Sequence, residues 1–212
     1  NLAKKAEQII LSSKFNISKI DERNVSRKPK APFNTSTLQQ TANSQLNFSA
    51  SQTMTIAQGL YMGVDIQKET VALITYMRTD SISLSKESID LIRTKIENDF
   101  GPKYLPKDPI EYKTKKKNAQ EAHEAIRPTD VSIHPDSIKD HVTEDQFKLY
   151  DLIWRRTISS QMSNAETNLN ALTITNPEES IQLKATLGKL VFDGFKKLYN
   201  LQEEGEEQSF SV

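Results

Sequence analysis

The sequence predicts a mixed, mainly α fold, in which a helical domain with short strands, residues 31–163, is inserted into a β-rich domain made of residues 1–30 and 164–212. Three observations predict it. The middle of the chain holds successive segments with apolar residues at helical spacing and capping signals at their starts. The last third switches to alternation every second residue. The first thirty residues also alternate, loosely, before Pro29 and Pro32. Two ends that share one period and flank a middle with another are the two halves of an interrupted domain.

Taken in order, "SKFNISKIDERNVSRKPKAPF" places Phe15, Ile17 and Val25 in loose alternation, as one or two half-exposed strands and then a turn. "NTSTLQQTANSQLNF" offers Ser36 and Gln39 as a capping box, with Leu38, Ala42 and Leu46 on one face. "SQTMTIAQGLYMG" predicts a second helix with Met54, Ala57 and Tyr61 inward, stopped at Gly63. "TVALIT" is a β-branched, apolar run of strand length. "SLSKESIDLIRTKIENDFG" carries Ser85 as cap, Ile89, Ile92, Ile96 and Phe100 on one face, and Gly101 as stop.

Residues 102–118 form a loop rich in proline and lysine. "AQEAHEAIRP" predicts a short helix ended by Pro128. In "TEDQFKLYDLIWRRTISSQM", Thr143 and Gln146 stand at capping-box spacing, and Phe147, Tyr150, Trp154, Ile158 and Met162 line one side. "TNLNALTIT" and "SIQLKATLGKLVFDGFKKLY" are strands separated by the turn "NPEE", and the acidic end "LQEEGEEQSFSV" is expected to fray.

Composition narrows the function. Hydrophobic residues make up 36% of the 212, which predicts modest cores and much solvated or partner-facing surface. Lys and Arg number 28 against 28 Asp and Glu, so global charge gives no argument for nucleic acid, although one face can still present a local patch. The absence of cysteine excludes disulfide frameworks, zinc fingers and thiol catalysis. No apolar run approaches the roughly 18 residues of a membrane span and no signal-peptide pattern opens the chain, so no membrane partner and a cytoplasmic location are expected. A first residue of Asn1 suggests a piece of a longer protein.

The chemistry centres on "ITYMRTDS", residues 74–81. If this stretch is extended, Tyr76 and Arg78 project from the same face. Tyrosine alone is a poor nucleophile, with a usual pKa of about 10. A neighbouring guanidinium favours the phenolate and matches the oxygens of a phosphodiester. The pair is what attack on a phosphate needs, with Asp80 and Ser81 able to orient the arginine or bond the backbone in a turn. A tyrosine closing a strand is more commonly a half-buried packing residue. In "AQEAHEAIRPT", His123 and Arg127 stand four apart, with Gln120 one turn earlier, as a second phosphate-gripping pair if helical. Equally, His123 packs or caps while Glu121 and Glu124 pair with lysines.

"APFNTSTLQQ", "ITYMRTDS" and "QEAHEAIRPT", in this order and separation, resemble type IA DNA topoisomerases of the bacterial topoisomerase I kind, from about residue 31 to residue 162 and plausibly over most of the chain. The resemblance implies that Tyr76 attacks one DNA strand and becomes joined to the 5′ phosphate, that Arg78 stabilises the scissile phosphate, and that His123 supports proton movements. It implies DNA-contacting or supporting roles for Thr75, Gln58, Asp80 and Arg127. It makes the β-rich part an arch on which the tyrosine domain swings, and single-stranded segments of negatively supercoiled DNA the partner. The family also needs an acidic, magnesium-binding domain of the Toprim type. Nothing in this sequence matches it, so no metal ligand is assigned, Mg2+ is expected only in the full-length enzyme, and the fragment alone is expected to be inactive without the missing domains.

Three other readings compete. A tyrosine recombinase places its tyrosine after the other catalytic groups, whereas Tyr76 precedes His123 and Arg127. A non-catalytic DNA-binding helical module predicts that Tyr76→Phe in the full-length protein leaves strand cleavage intact. A purely structural or protein-interaction domain predicts no affinity for single-stranded DNA even in the intact protein. The lysines Lys103, Lys107, Lys113, Lys115, Lys116 and Lys117 could meet phosphates, but a solvated loop explains them as well.

Overall fold

The alternation in residues 13–28 folds as one long strand rather than two. In a computed structural model describing residues 2–66, 69–112 and 124–199, the elements in chain order are α1 (Leu2–Ser12), β1 (Asn16–Arg27), α2 (Thr35–Leu46), α3 (Ala50–Met62), β2 (Val64–Ile66), β3 (Glu69–Val71), α4 (Lys86–Phe100), α5 (Pro135–Ile138), α6 (Glu144–Ser160), β4 (Ala165–Thr175) and β5 (Gln182–Phe192). They divide into two units. One holds residues 1–28 and 164–194; the other holds residues 29–163 with the described chain from Phe195 on.

The first unit is an antiparallel sheet in the order β1-β4-β5, with β4 central. Arg23 lies opposite Leu169, and Leu169 opposite Gly188. The "NPEE" turn is tied by Asn176, whose Oδ1 accepts the Ile181 N–H at 2.9 Å while Glu179 adopts a left-handed φ of 50°. Helix α1 was not anticipated. Its apolar residues Leu2, Ala6, Ile9 and Ile10 stand at helical spacing, yet none of its residues is buried.

The second unit is built around α6, which packs against α2, α3, α4 and α5. Its capping box is the predicted one, Thr143 with Gln146, and Tyr150, Trp154, Ile158 and Met162 are buried as expected. The Trp154 indole N–H donates to the Val131 carbonyl at 3.1 Å and the Tyr150 hydroxyl to that of Ile133 at 2.8 Å, pinning the following loop to the helix. In α4, Ser85 caps, Ile92 and Ile96 are fully buried, and Gly101 ends the helix at φ 87°.

Four expectations are corrected. The capping box of α2 is Asn34 with Thr37, not Ser36 with Gln39, because asparagine accepts the N3 amide as well as serine does. Helix α3 buries Thr53, Ala57 and Leu60, which turns Tyr61 to 37% exposure. "TVALIT" is regular only to Val71, after which Leu73 bonds to Leu60 and Thr129 and Ile74 bridges to Pro128. Residues 195–199, expected with the sheet, pack on the helical unit as a 3-10 turn, with Leu198 buried and its carbonyl accepting from Arg155.

Candidate active site

The three motifs meet. The Ile126 N–H donates to the Phe33 carbonyl at 2.8 Å, which joins "APF" to "EAIRP". The Thr75 N–H donates to the Arg127 carbonyl at 2.9 Å, and the Arg127 N–H returns a bond to Thr75 Oγ1 at 3.0 Å. Thr75 Oγ1 also donates to the Ala125 carbonyl at 2.8 Å. On the far side of the tyrosine, Thr35 at the start of α2 holds the chain: its Oγ1 donates to the Met77 carbonyl at 2.7 Å and accepts the Thr79 N–H at 2.9 Å. The tyrosine segment is thus bonded on both flanks without a regular sheet, through Thr75 on one side and Met77 and Thr79 on the other.

Residues 124–128 are extended, bridging to Phe33 and Ile74, not helical as predicted. The Glu124–Pro128 pattern was compatible with a helix, but the residue before a proline is pushed toward extended backbone. His123 and Gln120 lie outside the described residues, so the proposed helical pairing of His123 with Arg127 has no support in the described half. Lys113, Lys115, Lys116 and Lys117 also lie outside them.

Backbone bends at Thr75 and Met77 break the strand, yet the two-residue alternation survives as burial. Met77 and Thr79 point inward at 0% and 8% exposure, while Tyr76, Arg78 and Asp80 face solvent. Tyr76 is 45% exposed, and the Tyr61 ring meets its ring edge-on, centroids 5.3 Å apart at 64°. Arg78 makes no ion pair or hydrogen bond to a described residue, so its guanidinium is available to an anion. Asp80 accepts at its carbonyl from Asn34 Nδ2 at 3.4 Å. Gln58 is half-buried on α3, one turn before Tyr61.

Other tyrosines differ in kind. Burial pushes the Tyr112 phenol up to about 12 against the opposing charge of Arg156, and its hydroxyl donates to the Ser160 carbonyl at 3.1 Å. Burial, with the charge of Asp130, raises Tyr150 as well. These are packing phenols; Tyr76 is not sealed in that way.

Arg127 is spoken for. Its Nε and Nη2 both bond Glu124 Oε2, at 2.8 and 2.6 Å, and its Nη1 donates to the Pro128 carbonyl. At 16% side-chain exposure it braces the site and is not a free phosphate grip. Burial pulls the Glu124 carboxyl upward, but hydrogen bonds from Ser85 and the charge of Arg127 outweigh it and hold it below its usual value. Sequence reasoning missed Thr35, Tyr61 and this role of Glu124. The available signals were a threonine at a helix start and a glutamate three residues before an arginine.

Among the described residues, no three His, Asp or Glu side chains converge as a metal requires, so the donors present do not fit a magnesium ion. No described helix is long and apolar enough to cross a membrane.

Comparison with known proteins is consistent along the chain. A family model described as DNA topoisomerase matches residues 1–212. DNA topoisomerase 1 of Rickettsia bellii (strain RML369-C) is 47% identical over 209 residues, 98% of this chain and 26% of that protein. The same-named protein of Helicobacter pylori (strain ATCC 700392 / 26695) is 42% identical over 198 residues, 92% of this chain and 27% of its own length. The full-length topoisomerase I structure from Thermotoga maritima superimposes with a TM-score of 0.84 at 34% identity, covering 99% of this chain and 33% of that one. The chain therefore spans about a quarter of the curated relatives it matches. From motifs, fold and relatives together, the chain belongs to the type IA DNA topoisomerases of the bacterial topoisomerase I family.

Proposed function

We propose that this chain supplies the nucleophile with which its parent enzyme cuts one strand of negatively supercoiled DNA, passes a strand through the gap and reseals it. One observation carries the reading. Three separated motifs are bonded into one layer that buries Met77 and Thr79 and turns Tyr76 and Arg78 outward. Tyr76 Oη loses its proton and attacks phosphorus; a phosphotyrosine bond to the 5′ phosphate forms as the bond to the 3′ oxygen breaks, and that oxygen takes up a proton. Arg78 stabilises charge on the phosphoryl oxygens. His123 assists the proton movements, and Thr75, Gln58, Asp80 and Arg127 support the site or the DNA.

Because one phosphoester replaces another, bond energy is conserved and no nucleotide is needed. Strain in the supercoils gives the direction. Mg2+ held by a Toprim-type domain elsewhere in the parent would supply charge neutralisation, and no group of described side chains here is arranged to hold it. Single-stranded DNA segments and the other domains of the same polypeptide are the partners, in the bacterial cytoplasm.

The reading is tested with Tyr76→Phe in the full-length enzyme. Retained DNA binding with complete loss of strand cleavage is expected. Cleavage at the normal rate would make the chain a non-catalytic DNA-binding module.

A further inference from the structure

Tyr76 is exposed on irregular backbone, so its phenol needs something other than a strand to aim it. Its neighbour on the described surface is Tyr61, whose ring stands edge-on to it at 5.3 Å. The backbone that carries Tyr61 is held in place. Ala57 and Leu60 are fully buried and hold the last turn of α3, and the Leu73 N–H donates to the Leu60 carbonyl at 2.8 Å. That bond ties the residue beside Tyr61 to the segment three residues before Tyr76. Both rings therefore hang from backbones that are bonded to each other, and the edge-on contact joins them across that link. The Tyr61 hydroxyl has no hydrogen-bond partner among the described residues; what it contributes is the ring.

We propose that Tyr61 is a positioning residue that holds the Tyr76 phenol in the orientation for in-line attack. The proposal rests on Tyr76 being the nucleophile. Edge-to-face contact between two aromatic rings is favourable beyond simple area burial, and restricting a nucleophile to one orientation raises rate and leaves substrate affinity unchanged.

The test uses the full-length enzyme and a single-stranded oligonucleotide at saturating concentration, reading the single-turnover rate of adduct formation and, separately, oligonucleotide affinity. Tyr61→Leu is expected to slow adduct formation by about two- to ten-fold, the range that an aromatic pair energy implies, with affinity unchanged. Tyr61→Phe is expected to keep the wild-type rate, because it keeps the ring. Should Tyr61→Leu fail to fold, Tyr61→Gln, also compatible with an exposed helix end, replaces it with the same expectation. A wild-type rate in Leu or Gln, an equal loss in Phe, or a loss confined to affinity overturns the proposal. Tyr76→Phe runs alongside: if it still forms the adduct, the nucleophile assignment has failed, and that result is distinct from any outcome at Tyr61.

Discussion

Arg78 is the residue on which the chemistry proposed for Tyr76 depends most. It is exposed, stands two residues away on the same side of the chain, and has no carboxylate partner among the described residues. Arg127, assigned alongside it from sequence, is bound to Glu124 instead. The two arginines should therefore respond differently. Arg78→Ala in the full-length enzyme is expected to lower cleavage at saturating DNA by about 10²–10³-fold, as for loss of one preorganised transition-state contact. Arg78→Lys should recover only part of that, since an ammonium cannot grip two oxygens at once. Arg127→Ala is expected to show itself first as lost stability, read as a lower melting temperature. Single-turnover kinetics and thermal unfolding separate the two effects.

At the scale of elements, the site is a matter of which segments clamp the tyrosine stretch. Thr35→Val removes the acceptor for the Thr79 N–H and the donor to Met77. The cost expected is about 1–3 kcal/mol, from leaving a part-buried amide unpaired, measurable by denaturant unfolding. Gly63 closes α3 at φ 114°, where an added Cβ would come within 2.5 Å of Thr70 Cγ2. Gly63→Ala is therefore expected to destabilise the unit by more than about 1 kcal/mol.

The Glu124 contact has a pH signature. Its carboxyl is held below the usual 4.5, so the unfolded chain takes up the proton more readily than the folded one. The stabilisation is fully present above pH 4.5 and is lost as pH falls through the lowered folded value. Glu124→Gln should flatten the stability profile in that acidic window, as followed by unfolding at stepped pH.

What was legible in the sequence follows the same division. Helices α4 and α6 announced themselves because cap, apolar face and stop agree in each. The strands β4 and β5 did so through period and turn. The face of α3 was read correctly at Ala57 and misread at Tyr61, because Thr53 and Leu60 share the buried side with Ala57 and leave Tyr61 at the surface. Residues 124–128 were misread because their bonding partners, Phe33 and Thr75, lie far away in sequence. Local pattern cannot report a bond made at a distance of fifty residues or more.

For the whole molecule, the chain is a tyrosine-bearing helical unit and a separate three-stranded unit, together about a quarter of the related enzymes' length. The described donors do not form a metal site. Incubated alone with supercoiled plasmid and magnesium, the chain is expected to leave the topoisomer distribution unchanged; relaxed bands on a gel would contradict the dependence on other domains. The central claim is covalent, and it is best tested on the full-length parent by trapping cleaved single-stranded oligonucleotide, digesting the protein and identifying the DNA-linked peptide by mass. The account predicts a peptide containing Tyr76, with the 5′ phosphate on its phenolic oxygen. Attachment to any other residue, or efficient cleavage with no protein–DNA bond, would contradict it.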